Sequence, residues 1–392
     1  MKLIYMDYAA TTPMDEEVIG AMTQVMRSHY GNPSSLHRVG VEAEKLVQRS
    51  RVTIAAAVGV LSSEIRFTSG GTESNNLAIL GAARRYRSRG THLITTQVEH
   101  ASVYEAFRLL EGEGFRVTYL GVDETGAVRL DELEAALTED TILVSVMAVN
   151  NEMGRIQPIE EIGRLLKSRP RTLFHVDAVQ AVGKLPLQPK GWGIDLLSAA
   201  AHKLHGPKGT GFLYCREGVE LQPLLAGGGQ EDGLRPGTEN VPALVGMAKA
   251  VRLAVERQEA FAAHTSSLRR KLVERIGTLE ALRYNGSRQS GEMAPHIVHF
   301  SYPGMKSEVL VYALEQQGVC VSARSACSSG TERPSRVLEA MGAPYAAAVS
   351  GVRLSFSLRE TAEDIERVCE ALTRVARELG SVTAEPQKGR RS

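Results

Sequence analysis

The chain has 392 residues, 43% of them hydrophobic and 23% charged, with 46 Lys and Arg against 45 Asp and Glu. At roughly 150 residues per domain the length points to two or three domains around a large core, and a net charge of +1 excludes nucleic-acid or membrane-surface binding through a global charge excess. No run reaches the roughly 20 apolar residues of a membrane span, and Asp7 interrupts the first apolar stretch too early for a signal peptide, so a cytoplasmic location is expected. In chain order, apolar β-branched runs then alternate with helical patterns. Strands are expected over 65–68, 92–97, 116–120, 141–149, 172–177 and 195–199. Helices are expected over 72–89, 102–111, 130–137 and 159–167. Such alternation predicts a mostly parallel sheet between helices, and the unbroken apolar run 141–149 fits a strand covered on both faces.

After Val241 one long helical stretch is expected to reach about residue 279, with Leu244, Met247, Val251 and Val255 on one stripe. Strand signals return over 296–301 and 352–356, and helices over 306–317, 334–341 and 362–379, which describes a smaller α/β unit. The polar residues 381–392 read as a disordered tail. The expected division is a large domain over 15–258 and a small one made of 1–14 and 259–380. The four cysteines, Cys215, Cys320, Cys327 and Cys369, are too sparse for a disulfide framework and are expected to be thiols. Cys320 and Cys327, with no histidine nearby, do not make a metal site, and none is expected elsewhere.

The segment SAAAHKLHGPKGTG carries Lys203 just beyond a strand. Desolvation there would lower its pKa and make it a Schiff-base nucleophile, although a loop lysine with its tip in water reads the same way. In HVDAVQ, Asp177 stands at a strand's C-terminal end, where open α/β sheets bind ligands. A carboxylate there pairs with a protonated pyridine nitrogen, or merely caps a helix. Ser69-Gly70-Gly71-Thr72 precedes a helix and offers backbone amides to a phosphate. Two further strand ends present Glu99-His100 and Asn150-Asn151. Each is weak alone; five strand ends bearing a lysine, a carboxylate, a phosphate cradle, a histidine and an amide point together to a pyridoxal 5'-phosphate site.

With YMDYAATTP, GNPSSLH, FTSGGTESNN, VNNEMG, RPGTEN, SACSSG and VRLSF in the same order, the chain resembles cysteine desulfurases of the IscS/NifS type, in the fold-type I aminotransferase superfamily. The resemblance runs from about Asp7 to Leu379. It implies that fold, conversion of L-cysteine to L-alanine, and a persulfide on Cys327 passed to an acceptor for iron–sulfur cluster assembly or tRNA thiolation. By matching position, Lys203 would hold the cofactor and move protons. Asp177 would face the ring nitrogen, Gln180 the phenolic oxygen, and His100 the ring face. Gly71, Thr72 and His202 would hold the phosphate, and Thr238 would reach that of a second subunit, implying a homodimer. Asn151 and Arg353 would take the substrate carboxylate, the arginine through a bidentate pair. Partners would be L-cysteine and a sulfur-acceptor protein, an iron–sulfur scaffold or a tRNA-thiolating enzyme, with no direct nucleic-acid or membrane contact.

SACSSG is similar to the long-loop group of desulfurases, not to the group whose cysteine follows an Arg-x-Gly-His-His pattern. The chain departs from the family at Ala200, where relatives commonly carry serine, and at Arg324, where they commonly carry glycine. A selenocysteine lyase or an aminotransferase of the same fold is the alternative. Neither obviously needs SACSSG, so Cys327 separates the readings.

Overall fold

The computed structural model describes residues 3–323 and 334–384. Before the first expected strand lie β1 (Ile4–Tyr5), α1 (Glu16–Ser28) and α2 (Arg38–Val58). Both helices are locally encoded. Asp15 caps α1 by accepting from the Glu17 amide, with Glu16 and Glu17 in the first turn and Arg27 in the last. Gly59, at φ 74°, closes α2. There follow β2 (Ile65–Thr68), α3 (Gly71–Arg85), β3 (His92–Thr96), α4 (Ala101–Gly112), β4 (Arg116–Leu120), α5 (Leu130–Ala136), β5 (Thr141–Met147), α6 (Ile159–Leu166), β6 (Leu173–Asp177), β7 (Leu196–Ala200) and β8 (Gly211–Cys215).

The order in the large sheet is β2-β8-β7-β6-β5-β3-β4. The strands β4, β3, β5, β6 and β7 pair in parallel, and β8 runs antiparallel to β2 and β7. Every residue of β5, β6 and β7 is buried, because both faces are covered. On one face Val47, Ile54, Ile162, Met247 and Val251 join the core from α2, α6 and α7 (Val241–Glu256). On the other, Leu77, Ile79, Phe107 and Leu110 come from α3 and α4.

The single helix expected from Val241 to about residue 279 is two. Arg257, at φ −96° and ψ 2°, leaves the helical range between α7 and α8 (Gln258–Gly277). The helix expected over 72–89 ends at Arg85 and gives way to a separate 3-10 turn at Arg87–Arg89. The smaller unit then contains β9 (Arg283–Asn285), β10 (Ile297–Ser301), α9 (Ser307–Gln316), β11 (Val319–Cys320), α10 (Arg336–Ala340), α11 (Tyr345–Ala348), β12 (Gly351–Ser355) and α12 (Ala362–Ala384). The tail expected from 381 therefore begins as helix.

Here an antiparallel sheet, β12-β10-β9, lies beside a parallel pair, β1-β11. Leu272, Phe300, Leu314, Leu354 and Leu372 share a second core. Residues 4–12 connect the two units: Ile4 pairs with Val319, Asp7 bridges to Ser355, and the Ala9 amide donates to Ser355 Oγ at 2.8 Å. Among the described residues no helix is long and apolar enough to cross a membrane.

Candidate active site

One pocket gathers Gly71, Thr72, His100, Asn151, Asp177, Gln180, His202, Lys203 and Arg353. These residues stand at or just beyond the C-terminal ends of β2, β3, β5, β6, β7 and on β12. Lys203 closes a 3-10 turn that leaves β7. Its Nζ donates to the carbonyls of Ala9 at 2.7 Å and Ala10 at 2.6 Å, so its amine is held inside the pocket rather than stretched into water.

Asp177 ends β6 and is 5% exposed. Its Oδ1 accepts from the Val179 amide at 3.0 Å and its Oδ2 from Asn75 Nδ2 at 2.8 Å. No helix starts here: the chain enters a turn after β6, so the expected alternative of a helix cap does not apply, and the carboxylate lines the pocket. Asn75 sits on α3 and also donates to Ser102 Oγ at 2.9 Å, which ties Asp177 to the start of α4. His100 is the N-cap there: its Nδ1 accepts from the Ser102 amide at 3.2 Å and meets Ser102 Oγ at 2.8 Å. An accepting Nδ1 assigns the proton of the neutral ring to Nε2. Burial holds the His100 pKa below the usual histidine range, with Lys203 and Arg336 adding to the effect and Asp177 opposing it.

The end of the pocket at α3 is built for an anion. A Cβ on Gly71 would lie 2.7 Å from Val179 Cγ2 and 3.6 Å from the Cβ of Ala200, so a larger residue at this helix start would press on the pocket wall at Val179. His202 Nδ1 meets Thr11 Oγ1 at 3.2 Å, and burial, with help from Lys203, pushes the imidazole down to about 4. It is a neutral partner at physiological pH.

Arg353 is 1% exposed. Nη1 donates to the Asn151 carbonyl at 2.6 Å and Nη2 to Asp7 Oδ1 at 2.8 Å, while Nε has no hydrogen bond. The expected bidentate fork is therefore committed to protein acceptors here, and a substrate carboxylate would have to compete with Asp7. Gln180 Nε2 donates to the Ala9 carbonyl at 2.8 Å. Thr238 is exposed and does not line the pocket. Cys327 and Arg324 lie outside the described residues. Cys215, Cys320 and Cys369 are free thiols, and burial pushes Cys215 up to about 11, far from a reactive thiolate.

Asn75, Ser102 and the carbonyls of Ala9 and Ala10 are site groups that the sequence reasoning missed. Asn75 had a signal, lying one helical turn after Thr72; the carbonyls had none. Glu99, beside His100, is 1% exposed. Its Oε1 accepts from Thr96 Oγ1 at 2.8 Å and the Met147 amide at 3.0 Å, its Oε2 has no partner, and burial pushes its carboxyl up to about 8. Arg336, stacked 3.9 Å over Tyr104, donates to the carbonyls of Gln97 and Glu99 and braces the loop before His100.

A helix terminus at one end, a buried carboxylate at another and a lysine amine between carbonyls fit pyridoxal phosphate. The three supply a phosphate cradle, a partner for the ring nitrogen and an amine for the aldehyde. The chain matches the aminotransferase class-V family over residues 4–368. It is 45% identical to "Putative cysteine desulfurase IscS 1" of Bacillus subtilis, over 97% of this chain and 100% of that protein. It is 42% identical to "Cysteine desulfurase IscS" of Dictyoglomus turgidum, over 98% of this chain and 97% of that one. A solved "NIFS-LIKE PROTEIN" superposes with a TM-score of 0.89 at 39% identity, covering 97% of this chain and 100% of the other.

Proposed function

We propose that this chain, which belongs to the aminotransferase class-V family, is a pyridoxal phosphate-dependent cysteine desulfurase that forms L-alanine from L-cysteine and mobilises the sulfur. The observation that carries this reading is the convergence of Lys203, Asp177, His100 and Arg353 on one pocket, in a chain closely similar to proteins named for that activity. Bound there, pyridoxal phosphate supplies the electron sink that lets bonds next to the substrate's amino group break.

The chain's own residues do the rest. Lys203 Nζ is the attachment point and the amine that moves protons. Asp177, fixed by Asn75, opposes the ring nitrogen, and the Gln180 amide donates to the phenolic oxygen. The neutral imidazole of His100 covers the ring and takes or returns a proton. Gly71, Thr72 and His202 hold the phosphate. Asn151 and Arg353 receive the substrate carboxylate, the arginine by exchanging Asp7 for it.

Cys327 is the sulfur-accepting nucleophile in this proposal. As thiolate it attacks the substrate sulfur, forming an S–S bond as the carbon–sulfur bond breaks. In sequence it follows Ser322, whose amide and carbonyl exchange hydrogen bonds of 3.2 and 2.8 Å with the backbone of Arg353. The persulfide would then pass to a protein acceptor, an iron–sulfur scaffold or a tRNA-thiolating enzyme, in the cytoplasm. A homodimer is supported by large apolar side chains left in solvent on and beside the GNPSSLH segment: Leu36 is 98% exposed and Tyr30 81%.

The deciding experiment measures cysteine-dependent alanine release. Lys203→Ala should lose both turnover and the visible absorption of the loaded protein. Cys327→Ser should keep the absorption and release no sulfur; normal alanine and sulfide from that variant would overturn the nucleophile assignment.

A further inference from the structure

Behind Gln180, one turn on, lies a lysine that the proposed chemistry does not use. Lys184 is 6% exposed, and among the described residues its side chain makes one hydrogen bond, from Nζ to Gln180 Oε1 at 3.2 Å. Among the described residues no carboxylate pairs with it. Burial above all, and then the cationic Lys203 and Arg353, push its ammonium down to about 7; the imidazoles of His202, His205 and His296 also face it. The cavity it lines on its other side is walled by Gly183, Phe261 and Phe356 among others. A buried cation without a counter-ion is costly, and methionine would fill the same space without that cost.

The contact has a directional consequence. As an ammonium, below about pH 7, Lys184 only donates, so it faces the oxygen of the Gln180 amide, at 3.2 Å. The Ala9 carbonyl only accepts, so it must face Nε2, as it does at 2.8 Å. Turning the amide over would set donor against donor and acceptor against acceptor. The amide nitrogen carries a second hydrogen, and Gln180 lines the pocket. We propose that Lys184 is a positioning residue: it fixes the Gln180 amide so that Nε2 presents an N–H, rather than the oxygen, to the phenolic oxygen of the cofactor. This inference rests on the reading of the pocket as a pyridoxal phosphate site. Without Lys184 only the neutral Ala9 contact orients the amide, and a turned amide would aim oxygen at a phenolate. The phenolate would be less stable, and the proton it shares with the nitrogen derived from Lys203 would be held more tightly.

The test is a spectroscopic titration of the cofactor-loaded protein, following the pH midpoint of its visible band in a double-mutant cycle. Lys184→Met should raise the midpoint by about one unit, tenfold in proton affinity, with an unfolding midpoint at pH 7 no lower than that of the wild type. In the Gln180→Ala background the same substitution should produce no further shift. An unchanged midpoint in the single variant would overturn the proposal. So would an equal shift in both backgrounds, which would mean that the lysine's charge acts through space and not through the amide. Loss of stability with a wild-type midpoint would mark a packing lysine and overturn it as well. If the methionine variant does not fold, Lys184→Leu, which stays within the volume of the lysine stem, gives the same readings. A wild-type protein without a Lys203-dependent visible band would instead sink the cofactor reading itself.

Discussion

Glu99 shows how much a single buried side chain can cost. Its folded pKa of about 8 lies above the ordinary 4.5, so the folded protein keeps a proton that the unfolded chain releases. Its contribution to stability is intact below about pH 4.5 and is lost as the pH rises to about 8. Glu99→Gln keeps the neutral shape and should be close to neutral at pH 4. Its advantage over the wild type should grow through that window, towards about 5 kcal/mol at most, in urea unfolding at several pH values; a flat difference would show that the carboxyl ionises freely. Ala200 is the second residue to test. Its Cβ borders the Gly71 cradle, where a hydroxyl to a charged phosphate contributes roughly 1.5–3 kcal/mol, less what displaced water already supplies. Ala200→Ser should slow cofactor loss on dialysis several-fold without altering thermal unfolding. Equally fast loss from a stable variant would refute the missing contact. Lys203, Asp177 and His100 were legible as site residues because chemistry of their kind collects at strand ends. Asn75 and the carbonyls of Ala9 and Ala10 were not, because a buried amide and a backbone oxygen look like any others until the fold brings them together.

Between residues and whole protein stand the turns that aim the elements. Glu231, at φ 49° in the left-handed region, accepts both arms of Arg51 at 2.7 Å and the Phe67 amide at 2.9 Å, clamping the turn before RPGTEN onto β2. Its side chain is 3% exposed and that of Arg51 12%. Glu231→Ala would leave a buried guanidinium unpaired and should cost about 3–5 kcal/mol. Asp232→Ala, which breaks a pair with one side chain 81% exposed, should cost under about 1 kcal/mol. Denaturant midpoints at constant slope compare the two, and equal losses would contradict the distinction. The same scale marks where sequence reading stops. The strands from β2 to β7 and helices α3 to α6 were readable because apolar period and turn residues agree. The break at Arg257 was not, since the apolar stripe continues across it. The antiparallel β8 announces nothing locally, because a strand's direction depends on its neighbours.

At the scale of the whole molecule, the exposed Leu36 and Tyr30 and the exposed Thr238 make assembly testable. Sedimentation should find a dimer, and Thr238→Ala should weaken cofactor retention while leaving that dimer intact. A fully active monomer would reject the shared phosphate site. Parallel sheet and covering helices were legible from the alternation of patterns, but not the path of residues 4–12, whose pairings with Val319 and Ser355 span most of the sequence and leave no periodic trace. That path has a consequence for the protein's birth. Residues 4–12 emerge from the ribosome about 15–70 s before residues 318–355, at roughly 5–20 residues per second. Through that interval the seven-stranded sheet can form, yet Ala9 and Ala10 lack the β11 and β12 partners of their segment, and Arg353, itself on β12, has not been made. The pocket, lined by Ala9, Ala10 and Arg353 together, is thus complete only once β12 has been made.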